Sequence, residues 1–135
     1  MSYHLRVKGQ FDLSRRLTVK ETVEVVRWTE ERHEGTDSIG PWCPWRLNDD
    51  LTAIVYTEDE INGYDIDGWL IALITNWIEP LSIKVNGYAE WSGEEPGDLG
   101  AIWVVGNTVF KRRAFIVVYP PEDWGPVKMK WFGNE

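Results

Sequence analysis

The chain has 135 residues, 43% of them hydrophobic and 13% aromatic, with 14 lysines and arginines against 22 aspartates and glutamates. This length is typical of one domain, and the apolar content excludes global disorder. No stretch approaches the ~20 apolar residues of a membrane span, the first residues are not an apolar leader, and Cys43 is the only cysteine, which excludes an intrachain disulfide. We therefore expect a single domain, residues 1–135, in a reducing cytoplasm.

The acidic residues are concentrated in the middle of the chain. Residues 1–48 hold eight basic residues against seven acidic ones, and residues 99–135 hold five against three. Residues 49–98, in contrast, hold twelve acids against Lys84 alone. A field of this sign opposes direct binding to nucleic acid or to anionic lipid, and it favours a basic partner.

The first predicted elements are a strand and a helix. Residues 3–11 alternate polar and apolar side chains in period two, which predicts a strand with one wet face. Residues 18–21, TVKE, match a capping box at the start of a helix. Because Val19, Val23 and Val26 then recur at helical spacing, we expect these three valines to be buried against a sheet.

A loop is predicted over residues 35–48, which contain two prolines. Trp42 and Trp45 within it either close one end of the core or form an exposed aromatic patch. Cys43 is expected to be a small buried apolar residue, because a nucleophilic thiolate needs basic neighbours and the local sequence offers a single arginine.

A strand over residues 51–56 and a second helix come next. Asp65 or Asp67 is predicted to cap the start of this helix, where negative charge is favourable. Pro80 should end it near residue 79. Its apolar stripe is wide, which marks the better-buried helix. The stripe comprises Ile66, Trp69, Leu70, Leu73, Ile74, Trp77 and Ile78.

The last part of the chain predicts three antiparallel strands and a tail. An acidic loop over residues 92–100 joins the first two strands, and Gly106-Asn107 indicates a two-residue hairpin before the third. The tail, residues 119–135, is predicted to be irregular, with its Trp124 and Trp131 either in the core or exposed. The three strands cover residues 83–91, 101–105 and 108–119.

The order of these elements, β-α-β-α-β-β-β, predicts an α+β fold with a mainly antiparallel sheet and both helices packed on one face. The sequence contains no P-loop, dinucleotide fingerprint, Gly-x-Ser-x-Gly motif or paired Cys/His spacing. We therefore predict no enzymatic activity, no cofactor and no metal site. The candidate partner-binding residues are carboxylates and nearby tryptophans, although such acidic runs are also typical of solvated loops. They are Glu58, Asp59, Glu60, Trp91, Glu94, Glu95, Asp98 and Trp103.

Two stretches carry a resemblance to a known family. Residues 1–9, MSYHLRVKG, and residues 93–99, GEEPGDL, resemble a family of small uncharacterised actinobacterial and actinobacteriophage proteins. Its members open on an M-S-Y-x-x-R-V-x-G strand and carry a G-E-E-x-G-D-L turn inside a hairpin. The resemblance implies no activity, but it favours a phage or mobile-element origin.

Together these features predict a non-enzymatic, acidic protein that binds the basic surface of a host protein, such as a nucleic-acid-binding one, as a phage-encoded modulator or inhibitor. Two alternatives stay open. One is a small carboxylate-based enzyme or divalent-cation-binding domain around Glu94, Glu95 and Asp98. The other is a structural or assembly protein that self-associates through tryptophan-rich surfaces.

Overall fold

A computed structural model of the chain describes residues 4–33, 42–57 and 65–115. The helix that begins at Ile66 continues through a π turn and a 3₁₀ turn before the next strand. The elements are β1 Arg6–Leu13, α1 Val19–Glu30, β2 Trp45–Leu47, β3 Ala53–Tyr56, α2 Ile66–Leu73, the π turn Ile74–Ile78, the 3₁₀ turn Glu79–Leu81, β4 Val85–Ser92, β5 Leu99–Val105 and β6 Thr108–Arg113.

The six strands form one antiparallel sheet in the order β2-β3-β1-β4-β5-β6. β1 lies between β3 and β4, and the last three strands are joined as successive hairpins. The predicted α+β class with its antiparallel sheet is confirmed. In the part of the chain that the structure describes, the sheet has one more strand than predicted, because β2 lies within the segment that the sequence assigned to a loop.

Alternate residues of each strand face the helices and form the core. Phe11, Ala89 and Ile102 belong to this buried set, as the period of two along a strand requires. Trp45 connects the sheet to α2, since its Nε1 donates to the carbonyl oxygen of Ile66 at 2.8 Å. Its ring also lies 5.5 Å from that of Phe11. Both helices therefore share one face of the sheet.

The prediction of which face of α1 is buried is wrong. Val19 is 80% exposed and Val23 is 52% exposed, whereas Val25 and Thr29 are buried. The spacing of the valines alone predicts the wrong face, because one core position of α1 is a threonine. Thr29 can be buried because its hydroxyl donates to the carbonyl oxygen of Val26 at 3.1 Å, which satisfies the polar atom inside the protein.

The predicted start of α1 is confirmed by its hydrogen bonds. Thr18 and Glu21 form the reciprocal capping box. Glu21 also pairs with Arg15, whose guanidinium donates to both carboxylate oxygens at 2.9 Å. The same arginine donates to the carbonyl oxygen of Leu81 at 3.0 Å. The start of α1 is thereby tied to the end of the α2 segment.

The segment around β2 settles two open questions from the sequence. Trp45 is fully buried and closes the core, whereas Trp42 is exposed. Cys43 is buried as predicted, and burial raises the pKa of its thiol to about 11. Its Sγ lies 3.6 Å from the carbonyl oxygen of Trp45.

α2 follows its sequence pattern closely. Asp65 caps its start by accepting from the backbone of Gly68 at 3.2 Å, and it holds a left-handed φ of 46°. Six of the seven predicted apolar residues are buried, and Trp77 is half-buried. Trp28 of α1 packs edge-on against Trp69 with ring centroids 5.6 Å apart, so the two helices meet through aromatic rings.

The β5–β6 turn is the predicted two-residue hairpin. Gly106 and Asn107 have φ values of 52° and 75°, the left-handed pair that a type I′ turn needs. The Asn107 side chain accepts from the backbone N–H of Val85 at 2.6 Å and donates to the carbonyl oxygen of Ile83 at 3.1 Å. One turn residue therefore joins the β5–β6 hairpin to the start of β4.

The ends of several elements differ from prediction. β3 begins at Ala53 and β6 ends at Arg113, so the predicted strand over residues 108–119 is too long. Glu58, Asp59 and Glu60 lie outside the described residues. The same is true of the predicted tail, residues 119–135, with Trp124 and Trp131.

The pairing of Trp91 with Gly100 gives a stability prediction. The indole of Trp91 occupies the position that a side chain at residue 100 would take. Gly100→Ala should therefore lower the free energy of unfolding by about 1–3 kcal/mol through overpacking. In a Trp91→Leu background the same change should cost less than about 0.5 kcal/mol, because the ring is gone. Urea denaturation of the four chains measures this coupling, and equal costs in both backgrounds would refute it.

Candidate functional site

The face of the sheet opposite the helices carries a row of three aromatic side chains. Trp103 of β5 pairs with Tyr88 of β4 on one side and with Phe110 of β6 on the other. The Tyr88 and Trp103 rings lie 4.3 Å apart between centroids. Gln10 of β1 pairs with Tyr88 and extends the row to a fourth strand. We call Tyr88, Trp103 and Phe110 the aromatic row, and the face that carries them the open face.

The aromatic row is exposed. Tyr88 is 38% exposed, and Trp103 and Phe110 are each 45% exposed. Val105, which follows Trp103 by two residues on the same face of β5, is exposed as well. Neither helix of the described residues lies on this side of the sheet. A contiguous apolar patch of this kind on a folded chain is typical of a binding surface.

Charged residues border the aromatic row on both sides. On one side of the row lie Lys8, Glu90 and Arg112, each two residues along its strand from the member of the row on that strand. Lys8 lies opposite Glu90. Asp12 lies on the other side of the row and accepts from the amide of Gln10 at 2.8 Å. With Arg6 farther along β1 and Arg46 of β2 on the same side, the described strands place four cations and two acids on the open face. It is therefore not acidic, although the whole chain carries −8.

The acidic loop between β4 and β5 is partly engaged in the fold. Glu94 and Glu95 are exposed, and a Glu94 carboxylate oxygen accepts from the backbone N–H of His4 at 3.1 Å. Asp98 is half-buried and accepts from the indole Nε1 of Trp91 at 3.1 Å. The three carboxylates therefore differ in role, since Asp98 satisfies a core side chain.

Trp91 lies in the core. It is 6% exposed and sits on the helix side of the sheet, where Lys111 Nζ lies 5.4 Å from its ring centroid. Trp103, twelve residues later, lies on the opposite face. The sequence places Trp91 and Trp103 together among the candidate partner-binding residues, but in the structure they lie on opposite faces of the sheet. Tyr88 and Phe110, which carry no local signal in the sequence, accompany Trp103 instead.

A second feature is a cleft on the helix side, about 240 Å³ in volume. Asp67 pairs there with Lys111 at 3.0 Å. Burial opposes ionisation of Asp67, but the hydrogen bond and charge of Lys111 outweigh it and lower the pKa. Burial and the charge of Asp67 raise the pKa of Asp65. The cleft is lined by Leu5, Asp65, Ile66, Trp91, Asp98, Lys111 and Arg113.

Within residues 4–33, 42–57 and 65–115, no group of three or more His, Cys, Asp or Glu side chains could hold a metal ion. The exposed valines of α1 form a further apolar groove with Val26 and Leu51. Of the helices in these same ranges, none is both long enough and apolar enough to cross a bilayer. Comparisons with protein-family models, with curated proteins and with solved structures found no match to this chain.

Replacing either of the two aspartates at the start of α2 should change the thermal midpoint, and the two changes should have opposite signs. Because the folded-state pKa of Asp65 is raised above 3.8, its ionised form is disfavoured in the folded chain at pH 7. Asp65→Asn should raise the thermal midpoint there, since asparagine can still cap the helix and tolerates a left-handed φ. The gain should shrink as pH falls through 3.8 and be lost by about pH 3, where the carboxyl is mostly protonated in both states.

Asp67→Asn is the matched control. The pKa of Asp67 is lowered in the folded chain, so its charge stabilises the fold at pH 7 and this contribution is lost as pH falls. The control should lower the midpoint at pH 7. Thermal unfolding of the three chains between about pH 3 and pH 7 measures both effects. Midpoint shifts of the same sign would contradict the assignment.

Proposed function

We propose that the protein is a non-enzymatic partner-binding protein and that the open face is its contact surface. The observation that carries this proposal is the aromatic row, three half-exposed rings across adjacent strands on a face that neither of the described helices covers. Tryptophan, tyrosine and arginine are the residues that most often dominate binding energy at protein interfaces. The row supplies two of these types, and Arg112 beside it supplies the third.

The surroundings of the row support a protein partner. A typical interface has an apolar centre and a polar rim that excludes water. Lys8, Glu90, Arg112 and Asp12 provide such a rim with both signs of charge. A single-stranded nucleic acid would require a strongly positive groove, and a chain of net charge −8 does not favour it.

A basic host protein, bound by a phage-encoded modulator, is the second candidate. The observation in its favour is the pair of exposed acids, Glu94 and Glu95, in the loop that joins β4 to β5. The rim of the aromatic row carries no excess of acids, so this loop and the overall negative charge would supply the attraction. Such charges act mainly on the rate of association.

The open face is tested by removing its central ring. Trp103→Ala should weaken partner binding by at least about 30-fold, as expected for a residue at the centre of an interface. The tagged chain is incubated with a lysate that also contains untagged copies of the chain, and captured proteins are identified. Val19→Ala, which truncates an exposed apolar residue on the other side of the molecule, should capture the same proteins as wild type. Equal capture by the Trp103 variant would refute the proposal.

The acidic loop is tested with Glu94→Gln and Glu95→Gln combined. Asp98 is left intact because it bonds to Trp91 in the core. With a basic partner, the double variant should associate more slowly, and its rate should depend less on salt, because exposed charges are screened over ~8 Å at physiological ionic strength. Dissociation should change little. Surface-based kinetics at two salt concentrations measure this, and an unchanged association rate would reject steering by the loop.

A further inference from the structure

We infer that the outer edge of β6 is a second binding site, which takes an extended, carboxylate-bearing segment of another protein as an added strand. This site goes beyond the proposed function, because backbone groups of β6 make the contact and the aromatic row is not required. In strand addition, the unpaired N–H and C=O groups at a sheet edge supply the affinity, and alternate side chains supply the specificity.

The two edges of the sheet differ in what they offer to such a segment. β2 forms one edge and has three residues, whereas β6 forms the other and has six. The pairs of β6 with β5 run from Thr108 to Arg113 without a break in register, so this strand contains no bulge. It also contains no proline. Short strands, bulges and prolines are features that commonly close an edge, and β6 has none of them.

The pairing with β5 shows which backbone groups of β6 point outward. The N–H of Ala114 donates to the carbonyl oxygen of Leu99 at 2.9 Å, so residue 114 faces β5. Because bonded positions alternate along an antiparallel strand, residues 108, 110 and 112 also face β5. Residues 109, 111 and 113 therefore direct their N–H and C=O groups away from the sheet. Within residues 4–33, 42–57 and 65–115, no backbone group bonds to these three positions.

One of the outward acceptors is held by a side chain of β6 itself. Nη1 of Arg112 donates to the carbonyl oxygen of Lys111 at 2.9 Å, and both residues are exposed. Water can replace an exposed bond of this kind at little cost. A carboxylate attracts a guanidinium more strongly than a neutral carbonyl oxygen does. An acidic residue on the incoming segment would therefore draw Arg112 away and free the Lys111 carbonyl for the added strand.

The cations of β6 determine the chemistry of the segment. Lys111 already pairs with Asp67 at 3.0 Å. Arg112 and Arg113 are exposed, and neither forms an ion pair within the part of the chain that the structure describes. Because side chains alternate along a strand, Arg112 lies on the open face and Arg113 on the helix side. Carboxylates at two successive positions of the segment would meet one guanidinium on each face.

The register extends this pattern to the rest of the segment. An antiparallel segment is favoured, since antiparallel pairs are slightly more stable than parallel ones. Its first two residues then lie opposite Arg113 and Arg112, and its fourth and fifth lie opposite Phe110 and Val109. Phe110 is 45% exposed and Val109 is half-buried, so an apolar residue is favoured beside each. The segment therefore reads as two acids, a spacer and two apolar residues.

A second copy of the chain fits this edge less well than an acidic segment. Two β6 strands side by side would bring Arg112 and Arg113 of both copies into one short ladder, and β6 contains no acid to offset them. Charged side chains on edge strands commonly prevent such pairing between copies. The same cations attract a segment of opposite charge, so they discriminate between the two occupants.

A synthetic peptide, Glu-Glu-Thr-Val-Val-Thr with blocked ends, tests this site on the purified full-length chain. The readout is amide exchange followed by NMR. In the free chain, the N–H groups of Val109, Lys111 and Arg113 should exchange faster than those of Phe110 and Arg112. Saturating peptide should slow the exchange of the first three by at least about tenfold, because each gains a partner. No added protection at these three positions would overturn the inference.

Methylation of single peptide amides tests whether a ladder forms in this register. A methyl group on the nitrogen of the third residue, opposite Lys111, removes a donor that faces β6 and should raise the dissociation constant by at least about tenfold. The same group on the fourth residue, opposite Phe110, points away from β6. This matched control should change the constant by less than about threefold. Equal losses from the two methylations would contradict the pairing.

The two arginines are tested by reversing the charges on both sides. Arg112→Glu combined with Arg113→Glu should weaken binding of the acidic peptide by at least about 30-fold. It should bind Lys-Lys-Thr-Val-Val-Thr within about threefold of the original pair. Lys20→Glu, an exposed reversal on α1, controls for net charge and should leave binding of the acidic peptide unchanged. Thermal midpoints of all variants are recorded. Undiminished binding of the acidic peptide by the double variant would refute the role of the arginines.

The remaining outcomes separate the occupants and the two sites. Protection of residues 109, 111 and 113 that rises with the concentration of the chain alone would assign the edge to a second copy. Protection at every concentration without peptide would show that the chain covers the edge itself, and either result overturns the inference. Trp103→Ala should keep peptide binding within about threefold of wild type. Capture of a protein through Trp103 without peptide binding would leave the proposed function standing alone.

Discussion

The arrangement of the last three strands depends on the hydrogen bonds of one turn residue, Asn107. Its side chain holds Val85 and Ile83 at the start of β4 while its backbone forms the β5–β6 turn. Gly106 adds a bond from its backbone N–H to the side chain of Asn86 at 2.8 Å. These contacts fix the register of β4 against β5. A slip of one residue would turn every inward side chain outward.

That register decides which aromatic residues are core and which are surface. β4 and β5 carry large apolar groups on both faces, so burial of either face is compatible with their composition. With the observed pairing, Trp91 covers Gly100 on the helix side and Trp103 lies between Tyr88 and Phe110 on the other. The candidate binding surface is therefore a consequence of register, and it involves no catalytic geometry.

Much of the fold could be predicted from local sequence because its signals act over a few residues. The capping box at Thr18, the helix cap at Asp65 and the Gly106-Asn107 turn are of this kind, and the structure contains all three. The face of α1 was missed because its core position at residue 29 is a threonine. β2 was missed because three residues between prolines and a turn have no periodicity to detect.

The candidate site could be predicted from the sequence only in part, for a similar reason. Trp103 was a candidate because it lies close to the acidic loop in the sequence, but its neighbours Tyr88 and Phe110 are 15 residues before it and seven after it. Only the pairing of strands brings them together, and pairing is a long-range property. The acids of the loop next to Trp91 were noticed through their density. Sequence distance could not reveal that Asp98 bonds to a buried indole while Glu94 and Glu95 face solvent.

The burial of the single thiol has a practical consequence for studying how the sheet opens. Cys43 lies just before β2, a strand of three residues at the edge of the sheet, and its raised pKa leaves almost no thiolate at neutral pH. A thiol-reactive reagent can modify it only when this edge detaches. The rate of modification under native conditions would therefore report the local opening free energy of β2, and its denaturant dependence would show whether the edge detaches alone or with the whole domain.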